Sequence, residues 1–122
     1  MRLSEITFSA ATPIDGYGPG FFRVGGQAMA GPICVTAEGA GPWGGFEDAD
    51  TLLALSDAID VLFIGTGGEI AHVPAGLRER LEDAGMGVET MHSPAAARSY
   101  NVLLAEGRRV AVALLPVGDS AG

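Results

Sequence analysis

The chain has 122 residues, 19 of them glycine, and its 7 basic against 15 acidic side chains give a formal charge of -8. Every base is an arginine, which excludes Schiff-base chemistry, a lysine general base and the lysine of a phosphate-binding P-loop. The length suits one domain over residues 1–122 around one core, and the acidic balance argues against nucleic acid, whose phosphates call for clustered positive charge.

Ten glycines and four of the seven prolines fall in the first 45 residues, so turns dominate there. Between them, residues 6–9, 20–24 and 33–36 read as short strands of hairpins or a small antiparallel layer. Cys34 lies in the apolar run Ile33-Cys34-Val35, where a buried, inert thiol is expected. A single cysteine makes no internal disulfide, which fits a reducing compartment. Trp43 and Phe46 flank Gly44-Gly45 and suit a packed lid over one sheet edge.

From residue 46 onward helices alternate with apolar strands. Residues 48–59 carry Leu52, Leu55 and Ile59 at helical spacing, with Asp48 and Asp50 at the end where a helix favours negative charge. Residues 61–64 (Val-Leu-Phe-Ile) form an unbroken apolar run that wants burial on both faces. A second helix spans 74–84, with Leu77, Leu81 and Ala84 on one stripe and Gly85 as its stop. Residues 87–91 make a short strand. Ser93 reads as an N-cap with Pro94 at the first helical position, and the helix runs to Glu106 with Gly107 just beyond it. Residues 108–115 form the longest strand, ended by Pro116, and the last six residues are expected to fray. This order predicts helices on both faces of a mainly parallel or mixed sheet. The N-terminus has no signal-peptide pattern, and the apolar runs fall far short of the roughly 20 residues of a spanning helix. The expectation is a soluble, cytoplasmic protein, with peripheral association to a membrane complex left open.

Several constellations bear on chemistry. The turn Gly65-Thr66-Gly67-Gly68 follows the most apolar strand, and ligands in open α/β sheets gather at the carboxyl ends of strands. Backbone N–H groups of such a turn can hold an anion. Ile70 breaks the dinucleotide spacing, however, so a tight structural turn competes with a small-ligand site. Glu69 and His72 stand three residues apart and His92 ends another strand, but without a third fixed ligand no metal site is expected. No nucleophile elbow appears, and Ser93 and Ser99 read as capping and mid-helix residues, so no catalytic set is expected. The six acids between residues 46 and 69, with no base among them, form a solvated face or a docking surface for a basic partner. The stretches Arg98-Ser99-Tyr100-Asn101 and Glu106-Gly107-Arg108-Arg109 are richer in hydrogen-bonding groups than a covering helix requires. Asn101 in mid-helix calls for a partner. Either these groups tie helix and strand ends to carboxylates such as Glu106, or they recognise a small anion or the acidic segment of a partner.

The same stretches carry a resemblance. Residues 14–18 (I-D-G-Y-G), 22–25, Trp43, 64–67, 96–103 and 106–111 resemble the small single-domain family that includes mitochondrial respiratory complex I assembly factor 3 and many uncharacterised bacterial and archaeal proteins. The likeness covers nearly the whole chain, with His92-Ser93 where the family often has Asp-Thr. It implies a three-layer α/β fold with a central mixed, mostly parallel sheet flanked by helices, and a small antiparallel β portion from the N-terminal half. It implies no established enzymatic activity and no cofactor. For function it implies a non-enzymatic assembly or protein-interaction factor whose partners are subunits of a respiratory complex or other assembly factors. Apart from the resemblance, a homo-oligomer such as a homodimer, self-associating through an apolar edge, is a further reading. The alternative is a small-ligand or anion-binding protein, or an unassigned enzyme, using the turn at residues 65–68 and the start of the Ser93 helix. The candidate binding residues are Gly65, Thr66, Gly67, Arg98, Tyr100, Asn101 and Arg108.

Overall fold

The computed structural model describes residues 12–118, so the strand expected at residues 6–9 lies outside the described residues, as does most of the tail expected to fray. The chain first lays down three short strands, β1 (Ile14–Gly18), β2 (Phe21–Val24) and β3 (Gln27–Ala30), paired antiparallel in that order. Gly25 and Gly26, with φ of 57° and 84°, make the turn between β2 and β3 that requires positive φ at both central positions.

The main sheet contains β4 (Ile33–Thr36), β5 (Gly39–Pro42), β6 (Val61–Gly65), β7 (Gly87–Met91) and β8 (Val110–Leu114), in the order β5-β4-β8-β6-β7. Its pairs β5–β4 and β4–β8 are antiparallel, and β8–β6 and β6–β7 are parallel. The sheet is therefore mixed in equal parts, which corrects the mostly parallel expectation. The difference traces to residues 33–36: they belong to the main sheet and not to the small layer, where the sequence pattern put them. Ile33, Cys34 and Val35 are all buried. A strand apolar on both sides cannot lie in a half-solvated layer, and it enters the core antiparallel to β8.

Side chains of the inner strands alternate between two clusters. Cys34, Leu62, Ile64, Ala111 and Ala113 face one side, where Leu52, Leu77 and Leu81 pack. Ile33, Val35, Phe63, Val110, Val112 and Leu114 face the other, against Ala96, Ala97, Tyr100 and the small sheet's Phe22 and Val24. The period of two along each strand thus builds three layers: α1 (Ala49–Leu53) and α2 (Ala75–Asp83), the main sheet, then α3 (Ser93–Ala105) with the small sheet.

Helix boundaries differ instructively from expectation. The helix expected over 48–59 is regular only through Leu53, and the chain continues in tight turns closed by Leu55 N to Leu52 O, Ser56 N to Leu53 O and Ala58 N to Leu55 O. A spacing of three between Leu52 and Leu55 suits such tighter winding as well as it suits an α-helix. At α3 the N-cap is His92, whose Nδ1 accepts from Ala95 N at 3.2 Å, so Ser93 lies inside the first turn. The C-terminus follows expectation. Gly107 takes φ 80°, Gly107 N donates to Leu104 O, and Arg108 N reaches back to Leu103 O. That pair of bonds is the Schellman stop, which needs a residue tolerant of the left-handed region at this position.

The outer strand β7 is guarded by α2. Arg78 Nη2 donates to Val88 O at 2.9 Å while its Nε holds Glu82 at 3.1 Å, so a cation covers an outward carbonyl of the edge. At the other side, Trp43 is buried, packs edge-to-face on Phe46 with centroids 6.1 Å apart, and donates from Nε1 to Asp48 O.

Candidate functional site

The seven candidate residues do not converge on one place. They are strung along α3 from its first turn to the residues after its last, a span of about 20 Å. At the first end, the glycine turn and the helix start meet in direct contact. Ser93 is fully buried, its Oγ accepts from Gly67 N at 2.9 Å and donates to Leu115 O at 2.7 Å, and Ser93 N donates to Gly67 O at 2.7 Å. A Cβ built on Gly65 would stand 2.7 Å from both Ser93 Cα and Ser93 Oγ and 2.8 Å from Leu114 Cδ2. Glycine is needed at position 65 because another backbone fills the space a side chain would take. Thr66 is similarly occupied: its hydroxyl donates to Glu69 O at 2.7 Å and accepts from Ala71 N at 3.0 Å.

In mid-helix, Asn101 has the partner that its position demanded. Its Oδ1 accepts from Ile14 N at 2.9 Å and its Nδ2 donates to Ile14 O at 2.8 Å, so one side chain grips both polar groups of a strand residue. Tyr100 is fully buried, its hydroxyl donates to Thr12 O at 2.8 Å, and burial pushes its pKa up. Together they fasten the start of the small sheet to α3. Arg98, on the side of the helix away from Tyr100, is exposed, and its side chain forms no hydrogen bond or ion pair among the described residues.

Past the helix the two adjacent arginines divide their roles. Arg109 pairs with Asp60 (Nη2 to Oδ1, 3.0 Å) and donates from Nη1 to Asp57 O at 3.3 Å, and this hydrogen bonding holds the Asp60 carboxyl below its usual range. The network expected of Arg98 and Arg108 with carboxylates such as Glu106 is not formed; Arg109 instead ties the strand start to the Asp60 carboxylate and the Asp57 carbonyl. The Arg108 side chain forms no hydrogen bond or ion pair among the described residues. It lines a cavity of about 470 Å³ whose walls include Ala37 and Glu38 after β4, Leu55 and Ile59 before β6, and Leu104 of α3. A second hollow of about 330 Å³ shares Thr36, Glu38 and Leu55 with it and leads toward Cys34. That thiol is buried, and desolvation with the nearby Asp48 charge pushes its pKa to about 12. Sequence reading missed this cavity because its walls come from three separated segments, each of which looks like an ordinary helix end or turn. The signal within reach was Arg108, set beside a second arginine that alone suffices for the local carboxylates.

Among the described residues no cluster of three or more His, Cys, Asp or Glu side chains could hold a metal ion, and Glu69, His72 and His92 are all exposed. No helix among them is long and apolar enough to cross a membrane.

Fold and motif together define a class: a small α/β domain whose mixed sheet is covered on one face by a single long helix and a three-stranded antiparallel sheet, joined by the Tyr100-Asn101 clasp. The chain belongs to the family described as protein of unknown function (DUF498/DUF598), whose model matches residues 14–115. It is 53% identical over 117 residues to an uncharacterised protein of Rhodobacter capsulatus, covering 96% of this chain and 94% of that one. It is 31% identical over 115 residues to NADH dehydrogenase [ubiquinone] 1 alpha subcomplex assembly factor 3 of Danio rerio, covering 88% of this chain and 66% of that protein. The match therefore leaves about a third of the zebrafish protein's length unspanned. Among solved structures, one titled an outer membrane protein from Bartonella henselae superposes with a TM-score of 0.80 at 39% identity, covering 89% of this chain and 98% of that one.

Proposed function

We propose that this protein is a non-enzymatic, protein-binding factor that assists assembly of a respiratory NADH dehydrogenase. The observation that carries this reading is the 31% identity to a named assembly factor across 88% of the chain. The geometry of the motif supports it. Gly65, Thr66, Gly67, Tyr100 and Asn101 spend their hydrogen-bonding or steric capacity inside the fold, whereas Arg98 and Arg108 keep their guanidinium groups available for an acidic segment of a partner. Arg98 stands one turn from Val102, which is 51% exposed, and together they give α3 a mixed apolar and cationic outer face. The partners on this reading are subunits of the complex or companion assembly factors, met on the cytoplasmic side of the membrane.

Deletion of the gene tests the proposal. Membranes of the deletion strain are expected to hold less assembled NADH:quinone oxidoreductase by native gel and activity, restored by the wild-type gene and poorly restored by an Arg98→Glu variant. Normal content and activity in the deletion strain would overturn it.

A further inference from the structure

We propose that the cavity beside Arg108 is a binding site for a small amphiphilic carboxylate: a molecule with an apolar chain or ring body and one anionic head. Its volume of about 470 Å³ lies within the range of small-molecule sites, roughly 300–1,000 Å³. Most of its wall is aliphatic, from Ile59, Leu55, Leu104 and Val110, and such a surface favours an apolar body over water.

The head is specified by charge. The lining carries two arginines and one glutamate in a protein whose formal charge is -8. Arg109 is already committed to Asp60 and to the carbonyl of Asp57. The Arg108 side chain has neither an ion pair nor a hydrogen bond among the described residues, and a guanidinium lining an apolar cavity is matched by a carboxylate, which it can hold through two parallel bonds. Glu38 lines the same cavity and sets a limit. It opposes multiply charged heads such as phosphate esters, because a second negative charge would face its carboxylate without a second free cation. The Schellman stop fixes the backbone from which Arg108 projects, since Arg108 N is held by Leu103 O, so the cation is presented from a defined point.

This site lies at the C-terminal end of α3, away from the glycine turn, and does not depend on the assembly reading. The test is calorimetric titration of the full chain with straight-chain carboxylates of eight to twelve carbons below their micellar concentrations, with the matched alcohols and alkyl phosphates as controls. Saturable 1:1 binding of a carboxylate is expected, with the alcohol and the phosphate ester each about tenfold weaker or more. Arg108→Gln, an exposed change that leaves the backbone bond to Leu103 in place, should weaken carboxylate binding by about tenfold or more without altering alcohol binding. Ala105→Phe, on the cavity wall, should abolish binding of both, and methyl resonances of Leu104 and Ile59 should shift on titration of the wild type. No carboxylate binding at 1:1, equal binding by Arg108→Gln, or shifts confined to other regions would overturn the proposal.

Discussion

Asn101→Asp puts the clasp between α3 and the small sheet to a quantitative test, because it changes one atom type and no volume. In the native protein Asn101 accepts from Ile14 N at 2.9 Å and donates to Ile14 O at 2.8 Å. The aspartate keeps the first bond and replaces the second by two oxygens in apposition, one of them charged. Losing a hydrogen bond costs about 1 kcal/mol net, and leaving a half-buried carbonyl against a like partial charge adds about as much or more, for a total of about 2–3 kcal/mol at neutral pH. For a chain of this size the melting temperature should fall by roughly 6–12 °C. The sign of its pH dependence follows from the geometry. A protonated carboxyl can donate to Ile14 O and restore both bonds, so the folded state raises the pKa of Asp at this position. The penalty is then absent below the unfolded pKa of about 3.9 and grows as pH rises through it. Urea titrations of both proteins between pH 3.5 and 7 measure this, and amide exchange should show faster opening in β1 and β2 than in β6 and β8. Equal stability at pH 7, or a deficit that does not shrink on acidification, would refute the bidentate account of Asn101.

Two further outcomes are expected. Gly65→Ala forces a methyl to within 2.7 Å of the Ser93 backbone, which cannot swing away as a long side chain could, and should destabilise by about 3 kcal/mol or more in a denaturant titration. Asp48 caps α1 through Thr51 N at 3.1 Å and Thr51 Oγ1 at 2.6 Å and also accepts from Gly44 N. Its bond with the Thr51 hydroxyl, then those with the two amides, holds its pKa below the usual carboxylate range. That stability is present above the unfolded pKa and is lost as pH falls through the depressed one. Asp48→Ala should therefore destabilise at pH 7, and its deficit in denaturant titrations should shrink as pH is lowered from the usual carboxylate range through the depressed pKa of Asp48.

How far the sequence carried depends on which physical signal each segment offers. The second half was legible because β6, α2, β7, α3 and β8 each announce themselves by period and by glycine or proline punctuation, and the strands at 87–91 and 110–114 fall within the expected ranges. The first half was harder. Residues 27–30 (Gln-Ala-Met-Ala) are mostly exposed and residues 39–42 (Gly-Ala-Gly-Pro) have almost no side chains, so neither β3 nor β5 has an alternation to read. Their strand character comes from pairing with β2 and β4, a tertiary fact. At the site, Asn101 in a helix interior rightly demanded a partner, but only the folded chain could show that the partner is the backbone of a residue 87 positions earlier. Ser93 misled in the opposite way. A serine before a proline at a helix start invites assignment as a cap, yet His92 takes that role and the hydroxyl is used between Gly67 and Leu115.

The Arg78 contact with the outer strand bears on how this acidic domain behaves when crowded. A parallel edge strand offers a neighbouring chain a row of open backbone groups, and that is where domains of this kind begin to stick to themselves. Here an approaching strand would have to displace a guanidinium from the Val88 carbonyl and then accommodate the exposed Glu89 beside it. Both steps oppose fibril-like growth along β7, and the contact leaves the helical faces as the surfaces through which other molecules are met.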